Sequence, residues 1–369
     1  MYAASLELKD FRNYERLSVT FDPQVNIFCG NNAQGKTNVL EAVFLACTTK
    51  SHRGSRDREM IRLGTEEAHI RLGLVKDSVP HRIDMHLKKN KPKGIAIDGV
   101  PIHKSGELLG FVKVIFFSPE DLSMIKNGPG ERRRFLDMEL CQLEPFYVTE
   151  LTNYNRILLQ RNNLLRQISP GPGGGRTADS GLLDTLSVWD EQLLDYGSKI
   201  MKARAVFLQQ LSPVIEEVHG KLSGGTEQIQ VRYEPGCAEE AFAEKLREAR
   251  SRDLFLKTTT VGPHRDDILF LVNGLDARRY ASQGQQRTAA LSLKLSEIEI
   301  VKQRTGEKPI LLLDDVLSEL DRNRQNYLLD SIEEIQTMIT CTGLEEFVGS
   351  RLEKNRSFEV KAGRISRNT

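Results

Sequence analysis

The chain has 369 residues, 39% hydrophobic and 28% charged, enough to bury a sizeable core and long enough for two or three structural units. Its 52 Lys and Arg against 51 Asp and Glu leave a net charge of +1, so bulk charge gives no evidence for nucleic acid, and any such binding has to come from local patches. No apolar run approaches the roughly 20 residues that span a bilayer, and the start Met1-Tyr2-Ala3-Ala4-Ser5-Leu6-Glu7 lacks the basic and apolar regions of a signal peptide; the expectation is a cytoplasmic protein with no membrane partner.

In chain order, strands are predicted at 6–8 and 25–28, then a glycine-rich loop and a helix over 38–46. Further strands are expected at 68–75, 81–87 and 94–97, with Asp98-Gly99 as a hairpin-type turn, and at 112–117. From about residue 120 the period becomes helical. Pro145 suits the first turn of a helix to about 166, about 35 Å long, whose stripe Leu151, Tyr154, Leu158, Leu165, Ile168 is interrupted by Arg161. After a glycine-rich stretch at 170–175 and a polar tail, a second stripe follows as Leu186, Trp189, Leu193, Tyr196, Ile200, Ala203, Phe207, Gln210 and Val214. The two stripes suggest an antiparallel hairpin with a two-helix seam.

A third helix is expected over 238–252, a hairpin of strands 268–272 and 275–280 about Asn273-Gly274, a helix over 286–302 and a strand at 310–313. The predicted division is an α/β head made of 1–119 plus 254–369, split by a helical arm at 120–253. The cysteines Cys29, Cys47, Cys141, Cys237 and Cys341 are scattered without a Cys-x-x-Cys pair and read as reduced, mostly buried thiols.

Gly30-Asn31-Asn32-Ala33-Gln34-Gly35-Lys36-Thr37, followed by Asn38, fits the phosphate-loop pattern in full, between a predicted strand and a predicted helix. Glycines let backbone N–H groups curl around phosphates, Lys36 supplies a point charge, and the Thr37 hydroxyl can ligate Mg²⁺. Leu311-Leu312-Leu313-Asp314-Asp315 is a buried strand that delivers carboxylates to its end. Asp314 is the candidate metal-side acid, and Asp315 the candidate for orienting or deprotonating water.

Ser282-Gln283-Gly284-Gln285-Gln286-Arg287 opens the later helix and reads either as a polar cap or as a second anion site. The second reading implies ATP clamped between two copies of the chain, a two-fold dimer. Ser318-Glu319-Leu320-Asp321 lies where that seam would pass. Ser118-Pro119-Glu120-Asp121 is either a phosphate sensor or a capping turn, and His264-Arg265-Asp266 either a catalytic cluster or a hydrogen-bonded strand end.

Candidate DNA-phosphate contacts are Lys88, Lys89, Lys91 and Lys93, then Lys50, His52, Arg53, Arg56 and Arg58, and Arg132, Arg133 and Arg134. Their alternative is a solvated charged face.

Residues 30–38, 117–121, the run Arg132-Arg133-Arg134-Phe135-Leu136-Asp137, Gly262-Pro263-His264-Arg265-Asp266, 282–287 and 313–321 together resemble the RecF family of bacterial recombination mediators, over essentially the whole chain. The short arm argues against the longer SMC and RecN relatives. The resemblance implies an ABC-type, SMC-like P-loop ATPase head of two lobes with an inserted helical arm, dimerising on ATP and binding DNA at gaps and double-strand/single-strand junctions. It also implies work with RecR and RecO to load RecA, and slow hydrolysis that times release. By motif position Lys36 and Thr37 would hold phosphate, Asp314 and Asp315 would be the strand acids, Ser282 and Gly284 the signature pair with Gln285 beside them, and Asp321 the seam aspartate. Where many ABC proteins place a histidine, this chain has Ile339-Thr340-Cys341-Thr342; a threonine would have to substitute.

Two other classes compete. A transporter ATPase subunit would place its signature nearer the phosphate loop and need a membrane partner; a structural DNA tether would need sustained heptads, which this arm lacks.

Overall fold

The computed structural model describes residues 1–168, 180–342 and 355–367. These form two units, Met1–Leu122 with Leu291–Thr369, and Ser123–Ala290.

The first unit begins with β1 (Tyr2–Phe11) and β2 (Tyr14–Thr20), paired through a tight turn at Arg12-Asn13, then β3 (Val25–Cys29) and α1 (Lys36–Thr48). α2 (Asp57–Met60), β4 (Glu67–Lys76), β5 (Val79–Lys88), β6 (Lys91–Ile97), β7 (Val100–Ile102) and β8 (Val114–Phe117) follow. Along β4, Ala68, Ile70, Leu72 and Leu74 are buried while Glu67, His69 and Arg71 are exposed, the alternation of a sheet with one wet face. The turn at Asp98-Gly99 forms as expected between β6 and β7.

The second unit holds α3 (Ser123–Lys126), α4 (Pro129–Leu143), α5 (Pro145–Ile168) and α6 (Ser180–Leu222). β9 (Ile229–Glu234), α7 (Phe242–Glu248), α8 (Arg250–Leu256), β10 (Asp267–Val272), β11 (Leu275–Asp276), α9 (Ala277–Tyr280) and the first turns of α10 (Gln283–Thr305) complete it. The helix expected over 238–252 is two helices. The strand expected over 275–280 stops at Asp276, whose carboxylate accepts the Arg278 N–H at 2.9 Å and caps a short helix instead. The glycine-rich stretch at 170–175 lies outside the described residues.

α5 and α6 pack together through Leu164, Leu165, Ile168 and Leu186. The expected stripe on α6 holds at Leu186, Leu193, Ile200 and Phe207, but beyond it Leu211 and Ile215 are buried while Gln210 is exposed. A helix of 3.6 residues per turn drifts off a strict heptad. Arg161, which breaks the α5 stripe, is fully buried and donates to Asp190 Oδ1 at 2.6 Å, Asp253 Oδ2 at 2.7 Å and Thr259 Oγ1 at 2.9 Å. Gly197 lets the α6 backbone approach Phe242 and Tyr154: a Cβ there would lie 2.6 Å from the Phe242 ring.

The first unit resumes within α10 and adds β12 (Ile310–Asp314), α11 (Arg322–Ser331), β13 (Thr337–Cys341), β14 (Asn355–Lys361) and β15 (Arg364–Arg367). The return falls at Leu291 rather than at 254, because β9 pairs with β10 and β10 with β11 inside the second unit. The first unit thus contains an antiparallel sheet of order β2-β1-β4-β5-β6-β7 and a sheet of order β15-β14-β3-β13-β12-β8, parallel except for β15. α1 packs on strands of both. Its burial almost all round is that of a core helix.

Among the described residues no helix is long and apolar enough to cross a membrane. Cys47 and Cys141 are buried, but Cys29, Cys237 and Cys341 are only half-buried, which corrects the expectation of mostly buried thiols: Cys29 and Cys341 close their strands at the sheet's C-terminal edge, where packing ends.

Candidate nucleotide site

The C-terminal edge of the parallel sheet collects Lys36, Thr37, Asp314 and Asp315. β3 runs into the loop from Gly30 to Gly35, and α1 starts at Lys36. Gly30 has φ +153° and its Cα faces Val360, where a Cβ would come within 2.3 Å of the carbonyl oxygen. Gly35, at φ +114°, is pressed by Asn13 and Tyr14, with a Cβ meeting Asn13 Nδ2 at 2.6 Å. Both positions therefore require glycine.

Lys36 is buried, and its ammonium donates to the carbonyls of Gly30 and, at 3.1 Å, Asn31. The first N–H groups of a helix have no partner inside it, and here they open onto a loop whose Asn31, Asn32 and Ala33 are exposed. Such an N-terminus attracts anions.

β13 lies between β3 and β12, which brings a third strand end between the loop and the acids. Thr37 Oγ1 donates to Asp314 Oδ1 at 2.7 Å, and Thr340 Oγ1 donates to the same oxygen at 2.7 Å. The Asp315 N–H donates to Thr340 Oγ1 at 3.0 Å. Asp315 sits at φ +55°, a left-handed conformation that costs a non-glycine residue free energy and turns the chain sharply after Asp314. Its carboxylate accepts Ser318 Oγ at 3.2 Å. The Thr37 hydroxyl and the Asp314 carboxylate are hard oxygen donors in direct contact, a donor set that suits Mg²⁺.

The loop is braced by residues that the sequence motif does not include. Asn13 Nδ2 donates to Gln34 O at 2.9 Å, Asn38 Nδ2 to Asn13 Oδ1 at 2.8 Å, and Tyr14 OH to Gly35 O at 3.1 Å. Burial pushes the Tyr14 phenol up, so it stays a donor. From the other side, the Ala362 N–H donates to Gln34 Oε1 at 2.7 Å and the Gly363 N–H to Gln34 O at 3.2 Å. Behind the loop, Arg12 grips the buried Glu41 of α1 with two hydrogen bonds of 2.8 and 2.7 Å, and Ser51 adds one of 2.6 Å. Burial alone would raise the Glu41 carboxyl; Arg12 and Ser51 outweigh it and hold it below the usual range. The sequence signal for this brace is the two-residue turn between strands just ahead of the loop strand.

Ser282 and Gln285 form a reciprocal cap at the start of α10: the Ser282 N–H donates to Gln285 Oε1 at 2.9 Å and the Gln285 N–H to Ser282 Oγ at 3.2 Å. Ser282 and Gly284 are exposed. Asp321 caps α11, accepting the Arg324 N–H at 3.0 Å and its guanidinium at 2.9 Å. Ser118 and Asp121 close a turn, with the Ser118 N–H donating to Asp121 Oδ2 at 2.7 Å. His264 sits in a short turn at 263–265 ahead of β10, where Tyr154 OH bonds Nδ1 at 2.7 Å and Nε2 donates to Thr259 O at 3.0 Å.

The charged candidates for DNA separate by packing. Arg132 is buried and committed, with two hydrogen bonds to Asp267 at 2.6 and 2.9 Å and others to Met124 O and Asn127 O, so it is not available to phosphate. Arg133 is half-buried and donates to Asp266 O at 2.7 Å. The His52 ring stacks on Phe116 at 3.8 Å. Lys93 is held by Thr49 O at 2.6 Å and Asp57 at 2.9 Å, Lys89 pairs with Glu66 at 2.8 Å, and Lys88 lies 3.8 Å from Glu67. Lys50, Arg53, Arg56, Arg58, Lys91 and Arg134 are exposed.

Known proteins resemble the chain along its length. The RecF/RecN/SMC N terminal domain family matches residues 2–357. The DNA replication and repair protein RecF of Lachnoclostridium phytofermentans is 60% identical over 367 residues, covering 100% of both chains, and that of Agathobacter rectalis 55% identical over 365 residues, covering 99% of both. A solved structure of the recombination mediator protein RecF-ATP in the RecFOR pathway superposes with a TM-score of 0.91 at 36% identity, over 100% of this chain and 98% of that one. An Smc head domain from Pyrococcus furiosus, 15% identical with a TM-score of 0.57 over 100% of this chain and 96% of that one, shares the fold alone. With an ABC-type, SMC-like α/β ATPase head, the chain belongs to the RecF family of DNA replication and repair proteins.

Proposed function

We propose that this protein is an ATP-dependent DNA-binding switch of recombinational repair and replication, which dimerises on ATP at gaps or double-strand/single-strand junctions. It then helps RecR- and RecO-type mediators load RecA, and slow ATP hydrolysis releases it. The observation that carries the reading is the convergence of Lys36, Thr37, Asp314 and Thr340 on one strand-end cluster below an anion-attracting helix N-terminus. The RecF-ATP relative is consistent with ATP as the ligand.

In this reading the loop N–H groups from Gly30 to Thr37, with Asn38, cradle the phosphates, and Lys36 leaves its loop carbonyls for phosphate oxygens. Thr37 and Asp314 would hold Mg²⁺, which supplies charge neutralisation to the transferring phosphoryl group. Asp315, fixed by Thr340 through its backbone, orients the attacking water. Thr340 takes the place that many ABC proteins give to histidine. Ser282, Gly284 and Gln285 of a second copy would close the site over the outermost phosphate, with Asp321 at the seam, so that bound ATP adds its differential affinity to the dimer. Exposed cations between Lys50 and Arg58, with Lys91, give a DNA patch that contacts phosphates without reading bases.

The deciding experiment is light-scattering mass with and without ATP and Mg²⁺, using Asp315→Asn to hold the bound state, followed by a gapped duplex. A doubling that depends on ATP and tightens on DNA is expected. A constant mass would remove the composite site and favour a structural tether.

A further inference from the structure

Cys29 is the last residue of β3 and Cys341 the last of β13, and the two are direct partners in the parallel register. Their sulfurs lie 3.1 Å apart. Neighbouring strands are about 4.8 Å apart, within the Cα separation of roughly 4.4–6.8 Å that a disulfide spans. Both side chains are half-buried, which leaves them open to a small reagent.

We propose that Cys29 and Cys341 are a hydroperoxide-reactive dithiol at the root of the phosphate loop, and that their disulfide weakens nucleotide binding. The effect on nucleotide rests on the ATP reading given above; formation of the disulfide does not.

The two thiols are unequal. The hydrogen bond with Cys341 brings the Cys29 thiol down to about 7 against the opposing effect of burial, with the Lys36 charge assisting, while Cys341 is pushed up. The Lys36 ammonium is held at the carbonyl of Gly30, the residue after Cys29, and its charge favours a thiolate there, so Cys29 is taken as the nucleophile and Cys341 as the resolving thiol. The Cys29 thiolate attacks one peroxide oxygen and the O–O bond breaks, giving a sulfenic acid on Cys29 and, after protonation, an alcohol or water. The Cys341 sulfur then attacks the Cys29 sulfur, and the departing hydroxide leaves as water with the Cys341 proton. Two electrons pass from the thiols to the hydroperoxide, and a dithiol reductant reverses the change.

Closing the bond draws the sulfurs from 3.1 Å to about 2.05 Å. The residue after Cys29 is Gly30, whose carbonyl holds the Lys36 ammonium and whose Cα is pressed against Val360. The residue before Cys341 is Thr340, the partner of both acids. The displacement therefore acts on both sides of the nucleotide cluster at once.

The test treats the reduced full-length protein with hydrogen peroxide, alkylates the remaining thiols and maps the peptides by mass spectrometry, with a fluorescent ATP analogue titrated in parallel. The expected result is a Cys29–Cys341 cross-linked peptide lighter by two hydrogen atoms, and a roughly tenfold weaker nucleotide affinity restored by dithiothreitol. Cys341→Ser should bind the analogue like the reduced wild type and, after peroxide, carry a dimedone-reactive sulfenic acid at Cys29. Both thiols fully alkylated after peroxide overturn the proposal. A cross-link with unchanged affinity overturns the coupling to nucleotide. If the reduced protein binds no analogue, the ATP reading fails, and the mass map still decides on the dithiol.

Discussion

Thr340 donates its hydroxyl hydrogen to Asp314 Oδ1 at 2.7 Å while accepting the N–H of the next residue, Asp315, at 3.0 Å. One fully buried hydroxyl thus fixes a carboxylate and the strained backbone beside it. Thr340→Val keeps the shape and leaves the Asp315 N–H without its acceptor, a loss of about 1–3 kcal/mol. Urea unfolding should show that loss for Val and little for Thr340→Ser, and steady-state ATP hydrolysis should fall for Val and largely return for Ser. Equal midpoints for all three proteins would remove Thr340 from the argument.

On the proposed reading, the phosphate loop and the acids separate binding from turnover. Lys36→Ala should lose nucleotide binding and ATP-dependent dimerisation together, whereas Asp315→Asn should bind ATP and remain dimeric because hydrolysis stalls. Sedimentation with and without ATP reads both, and a Lys36→Ala protein that dimerises as the wild type does would sink the reading.

Arg161 is fully buried among Asp190, Asp253 and Thr259. Removing one member of a buried ion cluster strands the others' charge, so Arg161→Ala should cost about 3–5 kcal/mol, seen as a lowered denaturation midpoint in urea. A loss below 1 kcal/mol, roughly the worth of a surface pair, would mean that the cluster is hydrated in solution.

His264 gives the second unit an acid sensitivity. Burial, with the positive charge of Arg265 and Arg133 adding and the Thr259 carbonyl opposing, brings its imidazole down to about 4, and Nδ1 already accepts from Tyr154. The unfolded chain, with an ordinary value near 6.5, binds the proton first as pH falls. This contribution to stability is therefore whole above about 6.5 and is lost progressively down to about 4, at up to roughly 1.4 kcal/mol per pH unit. Urea midpoints at pH 7.5 and 5 should differ more for the wild type than for His264→Gln; parallel shifts would rule His264 out.

For DNA, the salt dependence counts phosphate contacts. Each exposed cation among Arg53, Arg56 and Lys91 that touches phosphate should lower the log–log slope by about 0.9 when neutralised, whereas Arg132→Ala should instead unfold its surroundings at unchanged slope.

The phosphate loop, the acid strand and the two helical stripes were legible in the sequence because each is local: a fixed spacing, an apolar run ending in carboxylates, a 3.6 period. What was not legible depends on partners far along the chain. Nothing near Arg132 announces Asp267, and nothing in the α5 stripe announces that its interruption at Arg161 meets α8. The Asn13 brace escaped because a polar residue in a two-residue turn is ordinary until the loop packed on it is known. The short α9 has the sequence signature of a strand because its capping Asp276 follows a hairpin signal.

Gln34 accepts hydrogen bonds from Ala362 and Gly363 as well as from Asn13, and Gly30 rests against Val360, so the motif near the start of the chain is shaped in part by backbone made some 328 residues later. On the ribosome the phosphate loop exists as sequence long before it exists as a site. On the proposed reading, a chain terminated before residue 360 would carry the motif without the backbone that holds Gln34 and packs on Gly30, and should bind nucleotide more weakly than the finished protein.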